Sequence, residues 1–168
     1  TRGAGSLELC NAVSEYLMAH HDIHVSAEDI VVTPGAKQAM LYSFLITTMP
    51  GDEVILLAPS WASYEPMLEF IGAKPVHVQV RKDNFHPDLD AIKNAITERT
   101  KMILINSPCN PTGAVFTPEE IEGILDIATE NDLWIVSDEI YSRMVWVDWP
   151  HVSPASLPGG SERTIVVN

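Results

Sequence analysis

The fold is decided by residues 101–138, which read KMILINSPCNPTGAVFTPEEIEGILDIATENDLWIVSD. Lys101–Asn106 is predicted as a strand, and its run of aliphatic residues is typical of a strand covered on both faces. Thr117–Glu120 predicts a helix start, because Thr is a good N-cap, Pro suits the first turn and Glu at N3 completes a capping box. A second apolar strand follows over Leu133–Ser137. This strand–helix–strand order indicates a βαβ unit in a parallel sheet.

The same alternation of strand and helix patterns extends in both directions from that stretch. We therefore predict one α/β unit of three αβα layers around a mostly parallel sheet. The stretch from Pro150 to Gly160 is predicted to be a long surface loop. The other predicted strands are Ile30–Thr33, Glu53–Ala58, Pro75–Val80 and Thr164–Asn168, and helical spacing begins near Leu9, Gly35, Tyr64 and Leu89.

Length and composition exclude several classes of protein. The 168 residues correspond to one domain, or one and a fragment, and a hydrophobic content of 46% excludes a disordered or fibrous chain. Ten Lys and Arg against 23 Asp and Glu give a net charge of −13, which disfavours nucleic acid and anionic membrane surfaces as partners. Cys10 and Cys109 are too few for a disulfide framework, and we expect the reduced thiols of a cytoplasmic protein.

The two ends of the chain predict a piece of a longer protein. No apolar run approaches the ~20 residues that a membrane span requires. Thr1–Gly5 contains neither an initiator Met nor the apolar core of a signal peptide. The other end stops on Thr164–Asn168, a predicted buried strand with nothing after it. We therefore expect a chain truncated at both ends.

Two predicted strand ends carry small or aromatic residues, and ligands of open α/β sheets bind beyond the carboxyl ends of strands. Thr33–Gln38 has small residues that let backbone N–H groups approach a phosphate at a helix N-terminus. The same residues also suit a tight turn with no ligand. Pro59–Tyr64 places Trp61 at the next strand end, where it would stack on a planar ligand or pack in the core.

Two further strand ends carry polar side chains. Asn106–Gly113 contains two prolines in four residues, which force an irregular path and bring Asn110 towards the strand ends, although an ordinary turn is the alternative. In Ser137–Tyr141, Asp138 follows a fully apolar strand, and a buried carboxylate requires a partner. That partner would be an Arg, a helix N-terminus or a cationic group on a ligand. Tyr141 would reach the same place.

We predict no functional role for a group of three histidines or for a cluster of three glutamates. His20, His21 and His24 lie at a predicted helix end among polar residues, so we expect them to be solvated and predict no metal site. Glu119, Glu120 and Glu122 are interpreted as a response to the helix dipole.

In this order and spacing, the four strand ends resemble the class I and II aminotransferases, which are pyridoxal-phosphate enzymes of fold type I. Glu162–Asn168 is similar to the strand before that family's lysine motif, so the resemblance covers essentially the whole chain. It implies that residues 1–168 are part of the large cofactor-binding domain, without the small domain and the remainder of the large one. It also implies a cis peptide bond at Asn110–Pro111.

The resemblance assigns roles to the residues at the first two strand ends. The backbone N–H groups of Ala36 and Lys37 would hold the phosphate of pyridoxal 5'-phosphate. Trp61 would stack on its pyridine ring.

It assigns the remaining cofactor contacts to the last two strand ends. Asn110 and Tyr141 would donate hydrogen bonds to the phenolic oxygen of the ring, with Asn110 also near the substrate carboxylate. Asp138 would pair with the protonated ring nitrogen, which makes the ring a better electron sink.

No catalytic residue is assigned within the chain. The resemblance implies that the family's Schiff-base lysine follows the strand that matches Thr164–Asn168. None of the five lysines occupies that place, because all of them precede Asp138. The chain by itself is therefore expected to be inactive. The parent protein would be a cytoplasmic, homodimeric aminotransferase that transfers an amino group from an amino acid to a 2-oxo acid. A β-lyase of the same fold and a non-catalytic cofactor-binding relative remain as alternatives, and a generic nucleotide-binding module is disfavoured because no glycine fingerprint is present.

Overall fold

The computed structural model describes residues 3–168, and its helices and strands alternate along most of that range. Thr1 and Arg2 lie outside the described residues. They belong to the amino-terminal stretch Thr1–Gly5, in which the sequence predicts no signal peptide. Most elements fall within one or two residues of their predicted positions. The helices are α1 (Leu7–His21), α2 (Ala36–Thr47), α3 (Tyr64–Phe70), α4 (Leu89–Ala95) and α5 (Pro118–Glu130), and the strands are β1 (Glu53–Ala58), β2 (Lys74–Gln79), β3 (Thr100–Asn106), β4 (Trp134–Asp138) and β5 (Thr164–Val167).

The strands form one parallel sheet in the order β2-β1-β3-β4-β5. The chain passes from β1 to β2 on one side and then returns to β3 on the other side of β1. The strand order therefore reverses between β1 and β3, which is the place where open α/β sheets bind ligands. In β3, residues 102–106 are all buried, which confirms the prediction of a strand covered on both faces.

Helices cover both faces of the sheet, so the three-layer prediction is confirmed. Ile103 and Ile135 belong to an apolar cluster that includes residues of α5 and Ile92 of α4. Leu104 and Val136 face the opposite way, into a cluster that contains residues of α2 and α3. Leu17 of α1 packs in a smaller cluster. None of the helices in the described part of the chain is both long enough and apolar enough to cross a membrane.

The predicted capping box of α5 is confirmed. The side-chain oxygen of Thr117 accepts a hydrogen bond from the backbone N–H of Glu120 at 3.3 Å, and Oε2 of Glu120 accepts one from the backbone N–H of Thr117 at 2.9 Å. Nδ1 of His86 lies 2.7 Å from the same carboxylate oxygen. The N-terminus of α5 is thus closed by its own side chains.

Two sequence predictions about secondary structure are wrong. Ile30–Thr33 is not a strand, although Val32 donates a backbone hydrogen bond to Ala4 at 2.8 Å. An apolar run predicts an extended backbone, whereas a strand also needs a neighbour with which to pair. The predicted surface loop at 150–160 is partly interior, because Ser153 is 1% exposed and Ala155 is buried as well.

The prediction that His21 is solvated is also wrong. Its ring contacts the rings of Tyr16 and His151, with centroids 5.6 and 5.7 Å apart, and its Nε2 atom is buried. His24 does lie at the surface, beside the exposed carboxylate of Asp22. The sequence placed these histidines at one helix end but gave no sign of the tertiary contact with His151.

Candidate functional site

The candidate site lies at the carboxyl edge of the sheet, around the reversal in strand order. β1 ends at Ala58 and is followed by a cis bond to Pro59. β3 ends at Asn106 and β4 at Asp138, and these two residues are register partners. Both are buried, with exposed fractions of 7% and 2%. Parallel strands therefore bring three of the predicted segments to one edge.

Asp138 is the most constrained group at this edge. Its Oδ2 accepts a hydrogen bond from the phenol of Tyr64 at 2.5 Å, and its Oδ1 accepts one from the backbone N–H of Ile140 at 3.3 Å. Burial raises the pKa of the Asp138 carboxyl, and the hydrogen bonds from Tyr64 and Ile140 oppose that rise. Across residues 3–168, no Lys, Arg or His side chain forms an ion pair with it.

Tyr64 is a site residue that the sequence analysis did not single out. It is 1% exposed, and burial together with the neighbouring Asp138 raises the pKa of its phenol well above the usual value. The charges of Cys109 and Tyr141 also contribute to that rise. Its position three residues after Trp61 was the available signal, because the turn in which the Tyr64 N–H donates to the Trp61 carbonyl at 3.1 Å brings the two rings together.

Trp61 connects Tyr64 to the start of α2. The rings of Trp61 and Tyr64 meet edge to face with centroids 5.3 Å apart. The ammonium of Lys37 lies 5.0 Å from the centre of the Trp61 ring, which is within the range of a cation–π contact. Lys37, Trp61 and Asp138 are thereby brought into one continuous set of contacts through Tyr64.

The loop after β3 is tied to Asp138 by a second route. The side chain of Asn106 donates to the backbone oxygen of Asp138 at 3.0 Å and accepts from the backbone N–H of Asn110 at 2.7 Å. The Asn110–Pro111 bond is cis, as the resemblance implied. Asn106 therefore positions both Asn110 and the end of β4, a role the sequence analysis did not assign.

The N-terminus of α2, with Ala36 and Lys37 in its first turn, is open. Its N-cap is Gly35 at φ +95°, a region that favours glycine, and no side chain caps it. No acidic residue occupies the first turn either. Ser6, Asp88 and Thr117 by contrast cap α1, α4 and α5 with their side chains. An uncapped helix N-terminus with free backbone N–H groups is a ready site for an anion.

Taken together, the edge offers an open helix N-terminus at α2, an aromatic surface at Trp61 and a buried carboxyl group at Asp138. A ligand that carries a phosphate, a planar ring and a cationic nitrogen matches these three features. Tyr141 lies at the same edge, in the turn after β4, where its carbonyl accepts from Met144 at 2.7 Å.

Comparisons with known proteins agree with this arrangement. A family model described as aminotransferase class I and II matches residues 1–168. The chain is 42% identical to a probable aspartate/prephenate aminotransferase of Thermus aquaticus over 98% of its own length and 43% of the relative. It is 39% identical to an aspartate aminotransferase of Bacillus subtilis over 100% of its length and 43% of that relative. The chain thus spans less than half of these relatives.

Solved structures give the same result for the backbone. An aspartate aminotransferase from Thermus thermophilus with maleate superimposes with a TM-score of 0.94 at 39% identity, over 99% of this chain and 43% of that one. An N-succinyldiaminopimelate aminotransferase from Mycobacterium tuberculosis gives 0.95 at 36% identity, over 98% and 44% of the two chains. The predicted large-domain fold is confirmed by these matches.

Proposed function

Because the chain belongs to the class I and II aminotransferase family, we propose that its full-length protein is a pyridoxal-phosphate-dependent amino-acid aminotransferase. Residues 1–168 would form part of the large cofactor-binding domain. The carrying observation is the buried carboxylate of Asp138, which accepts hydrogen bonds from Tyr64 and Ile140 and forms no ion pair within the described residues. A buried anion in this setting fits a cationic ring nitrogen.

The residues present fit the cofactor at its two charged ends. Free N–H groups of Ala36 and Lys37 at the uncapped start of α2 would hold the phosphate. Asp138 would hold the proton on the ring nitrogen, since a neighbouring anion favours the charged form of a base. Tyr64 would keep the Asp138 carboxylate ionised and oriented by donating to Oδ2. When bound, pyridoxal phosphate supplies an electron sink for the bond-breaking at the substrate's α-carbon.

The other assigned residues would orient the ring. Trp61 would cover one of its faces. Asn110, fixed through Asn106, and Tyr141 would donate hydrogen bonds to its phenolic oxygen. The lysine that takes the proton in this family is not assigned within 1–168, so this chain contributes cofactor binding and charge control.

For the substrate, we propose aspartate as the amino donor and a 2-oxo acid as the acceptor. The proposal is supported by the names of similar relatives, which include aspartate aminotransferases of Pyrococcus abyssi and Bacillus subtilis. Residues 1–168 do not separate the substrates, because an alanine aminotransferase and an aromatic aminotransferase share the same backbone. Substrate choice therefore has to be measured.

We further propose a cytoplasmic homodimer. Leu45, Ile46 and Met49, at the carboxyl end of α2 and just after it, are 51%, 77% and 71% exposed, which is unusual for a run of large apolar side chains. A second copy would cover them. Both cysteines are free, which suits a reducing compartment.

The test is an assay of the purified full-length protein. We expect it to retain pyridoxal phosphate through gel filtration, seen by visible absorbance, and to convert aspartate and 2-oxoglutarate into oxaloacetate and glutamate. Pyruvate release from sulfur amino acids without transamination would instead identify a β-lyase. Retained cofactor with no turnover on a panel of amino donors would identify a non-catalytic relative, and absence of both would overturn the proposal.

A further inference from the structure

A second cluster of polar groups lies on the other face of β4 from Asp138. Glu139 directly follows Asp138 and is 0% exposed. Its Oε1 accepts hydrogen bonds from the hydroxyls of Ser137 at 2.8 Å and Ser153 at 2.6 Å. Ser137 and Glu139 share one side of the chain, whereas Asp138 faces Tyr64 on the other. This cluster is therefore separate from the candidate cofactor site.

The remaining oxygen of Glu139 determines which ring nitrogen of His151 carries the hydrogen. Oε2 of Glu139 lies 3.1 Å from Nε2 of His151, whose side chain is 6% exposed. An ionised carboxylate only accepts hydrogen bonds, so Nε2 of His151 carries the hydrogen. In the neutral ring, the lone pair is then on Nδ1.

Two nitrogens of this cluster have no hydrogen-bond partner. Within residues 3–168, three buried side-chain nitrogen or oxygen atoms are unpaired, and two of them are Nδ1 of His151 and Nε2 of His21. The two rings adjoin at 5.7 Å between centroids and 84° between planes. Buried polar atoms are almost always paired, so two unpaired imidazole nitrogens on adjoining rings require an explanation.

The geometry points to a site for a divalent transition metal, held by the imidazoles of His21 and His151 with Glu139 behind His151. A ligand atom from each of the three side chains lies within 4.8 Å of one from each of the others. Two nitrogens on one Zn²⁺ ion are about 3.3 Å apart, given bonds of about 2.0–2.1 Å, so the two imidazoles would have to adopt that spacing when the ion binds. Imidazole ligands suit Zn²⁺, Cu²⁺, Ni²⁺ and iron rather than Mg²⁺ or Ca²⁺.

Glu139 completes the arrangement in two ways. A carboxylate that accepts from the far nitrogen of a ligating histidine fixes the ring and raises its basicity. Its negative charge, buried at the site, also offsets the charge of the ion.

A bound ion would connect parts of the chain that are distant in sequence. His21 ends α1, Glu139 follows β4, and His151 begins the segment that leads to the 3₁₀ turn at Pro154–Ser156. The side chain of Asp138 instead meets Tyr64. The role of the ion would therefore be to fasten α1 to the sheet rather than to take part in transamination. The sequence prediction of no metal considered His20, His21 and His24 but not His151.

The test is Zn²⁺ binding by the full-length protein, purified without a histidine tag and stripped with a chelator. We expect one Zn²⁺ per chain by calorimetry and elemental analysis, and Co²⁺ in its place should give visible d–d absorption. His21→Ala should weaken Zn²⁺ binding by at least about tenfold, and Glu139→Gln by about tenfold or more. His24→Ala, which removes an exposed histidine of the same segment, should leave binding unchanged.

Two results would overturn the metal site. One is uptake of no Zn²⁺ by the unmutated protein, in which case the unpaired nitrogens bind water. The other is equal Zn²⁺ affinity in the His21→Ala and unmutated proteins. Asp138→Ala should bind Zn²⁺ normally even if it no longer uses pyridoxal phosphate, so this outcome is independent of the proposed enzyme activity.

Discussion

Asp138 and Glu139 are consecutive, equally buried carboxylates with opposite surroundings. The carboxylate of Glu139 is hydrogen-bonded by two hydroxyls and an imidazole, all from side chains of this chain. Asp138 receives one phenol and one backbone N–H. Burial raises the pKa of the Asp138 carboxyl, the hydrogen bonds from Tyr64 and Ile140 oppose that rise, and the charge of Glu139 adds to it. Glu139 therefore has its hydrogen-bond partners within the fold, whereas for Asp138 we propose that the missing partner is a ligand.

The largest effect should come from removing the charge of Asp138. Asp138→Asn keeps the shape and an acceptor for Tyr64 but leaves a cationic ring nitrogen without its anion. Leaving a buried charge unpaired costs about 3–5 kcal/mol, which corresponds to roughly a hundred- to five-thousandfold in kcat. The measurement is steady-state transamination by the full-length protein saturated with pyridoxal phosphate.

The matched control is Asp148→Asn, which changes an exposed carboxylate ten residues away and should leave kcat unchanged. The cofactor-free Asp138→Asn protein should unfold at the same denaturant concentration as the unmutated one, or a higher one. If the Asp138→Asn protein retained full activity when saturated with pyridoxal phosphate, the assignment of Asp138 to the ring nitrogen would be wrong.

The same isosteric change at the neighbouring residue should have the opposite outcome. Glu139→Gln weakens hydrogen bonds from Ser137 and Ser153 and places an amide N–H against His151. Because hydrogen bonds to a charged group contribute about 1.5–3 kcal/mol, we expect a loss of about 2–3 kcal/mol in the free energy of unfolding. Urea unfolding measures this loss. Turnover per folded molecule should change little, and a collapse of kcat in a stable variant would contradict the contrast.

Tyr64→Phe sharpens the comparison through its pH dependence. The phenol lowers the pKa of Asp138, which burial holds above its unfolded value, so removing it raises that pKa further. A raised folded pKa gives stability below the unfolded pKa of about 3.9 that is lost as pH rises through the folded value. The variant should therefore lose stability more steeply with rising pH, by about 1–2 kcal/mol at pH 7.

Urea unfolding of the cofactor-free full-length protein at several pH values between 4 and 8 provides the measurement. Tyr42→Phe, which removes an exposed phenol, is the matched control. A deficit for Tyr64→Phe that is constant with pH, or largest at pH 4, would show that the phenol does not act on an ionised Asp138.

Most of the fold could be predicted because each strand and helix has a local signal. The bounds of β1 at Glu53–Ala58 agree with the apolar run, and the capping box at Thr117 placed the start of α5. Ile30–Thr33 shows where local signals fail, because hydrogen bonding to a neighbouring strand depends on partners elsewhere in the chain. Ser153 shows the same limit for burial, since its hydroxyl serves a carboxylate 14 residues earlier.

The sequence predicted which residues lie at the candidate site, but not the hydrogen bonds that join them. Strand ends and turn residues located Asp138, Asn110 and the start of α2. The bond between Tyr64 and Asp138 joins residues 74 positions apart, and no pattern in the sequence specifies it. The cofactor roles depended on family resemblance, since a composition of small, aromatic and acidic residues at strand ends fits several ligands.

The smallest effect concerns the same contrast at the scale of helices. The N-terminus of α5 is capped by the side chains of Thr117 and Glu120, whereas no side chain caps the N-terminus of α2. The first resembles Glu139 in having its hydrogen-bond partners within the chain, and the second resembles Asp138. Thr117→Ala should lower the free energy of unfolding by about 1 kcal/mol, because a capped N–H loses its acceptor. Its affinity for pyridoxal phosphate should be unchanged, since the phosphate is assigned to α2. Urea unfolding and cofactor titration of the full-length protein measure the two quantities, and a weaker cofactor affinity in this variant would mean that the two helix ends are not independent.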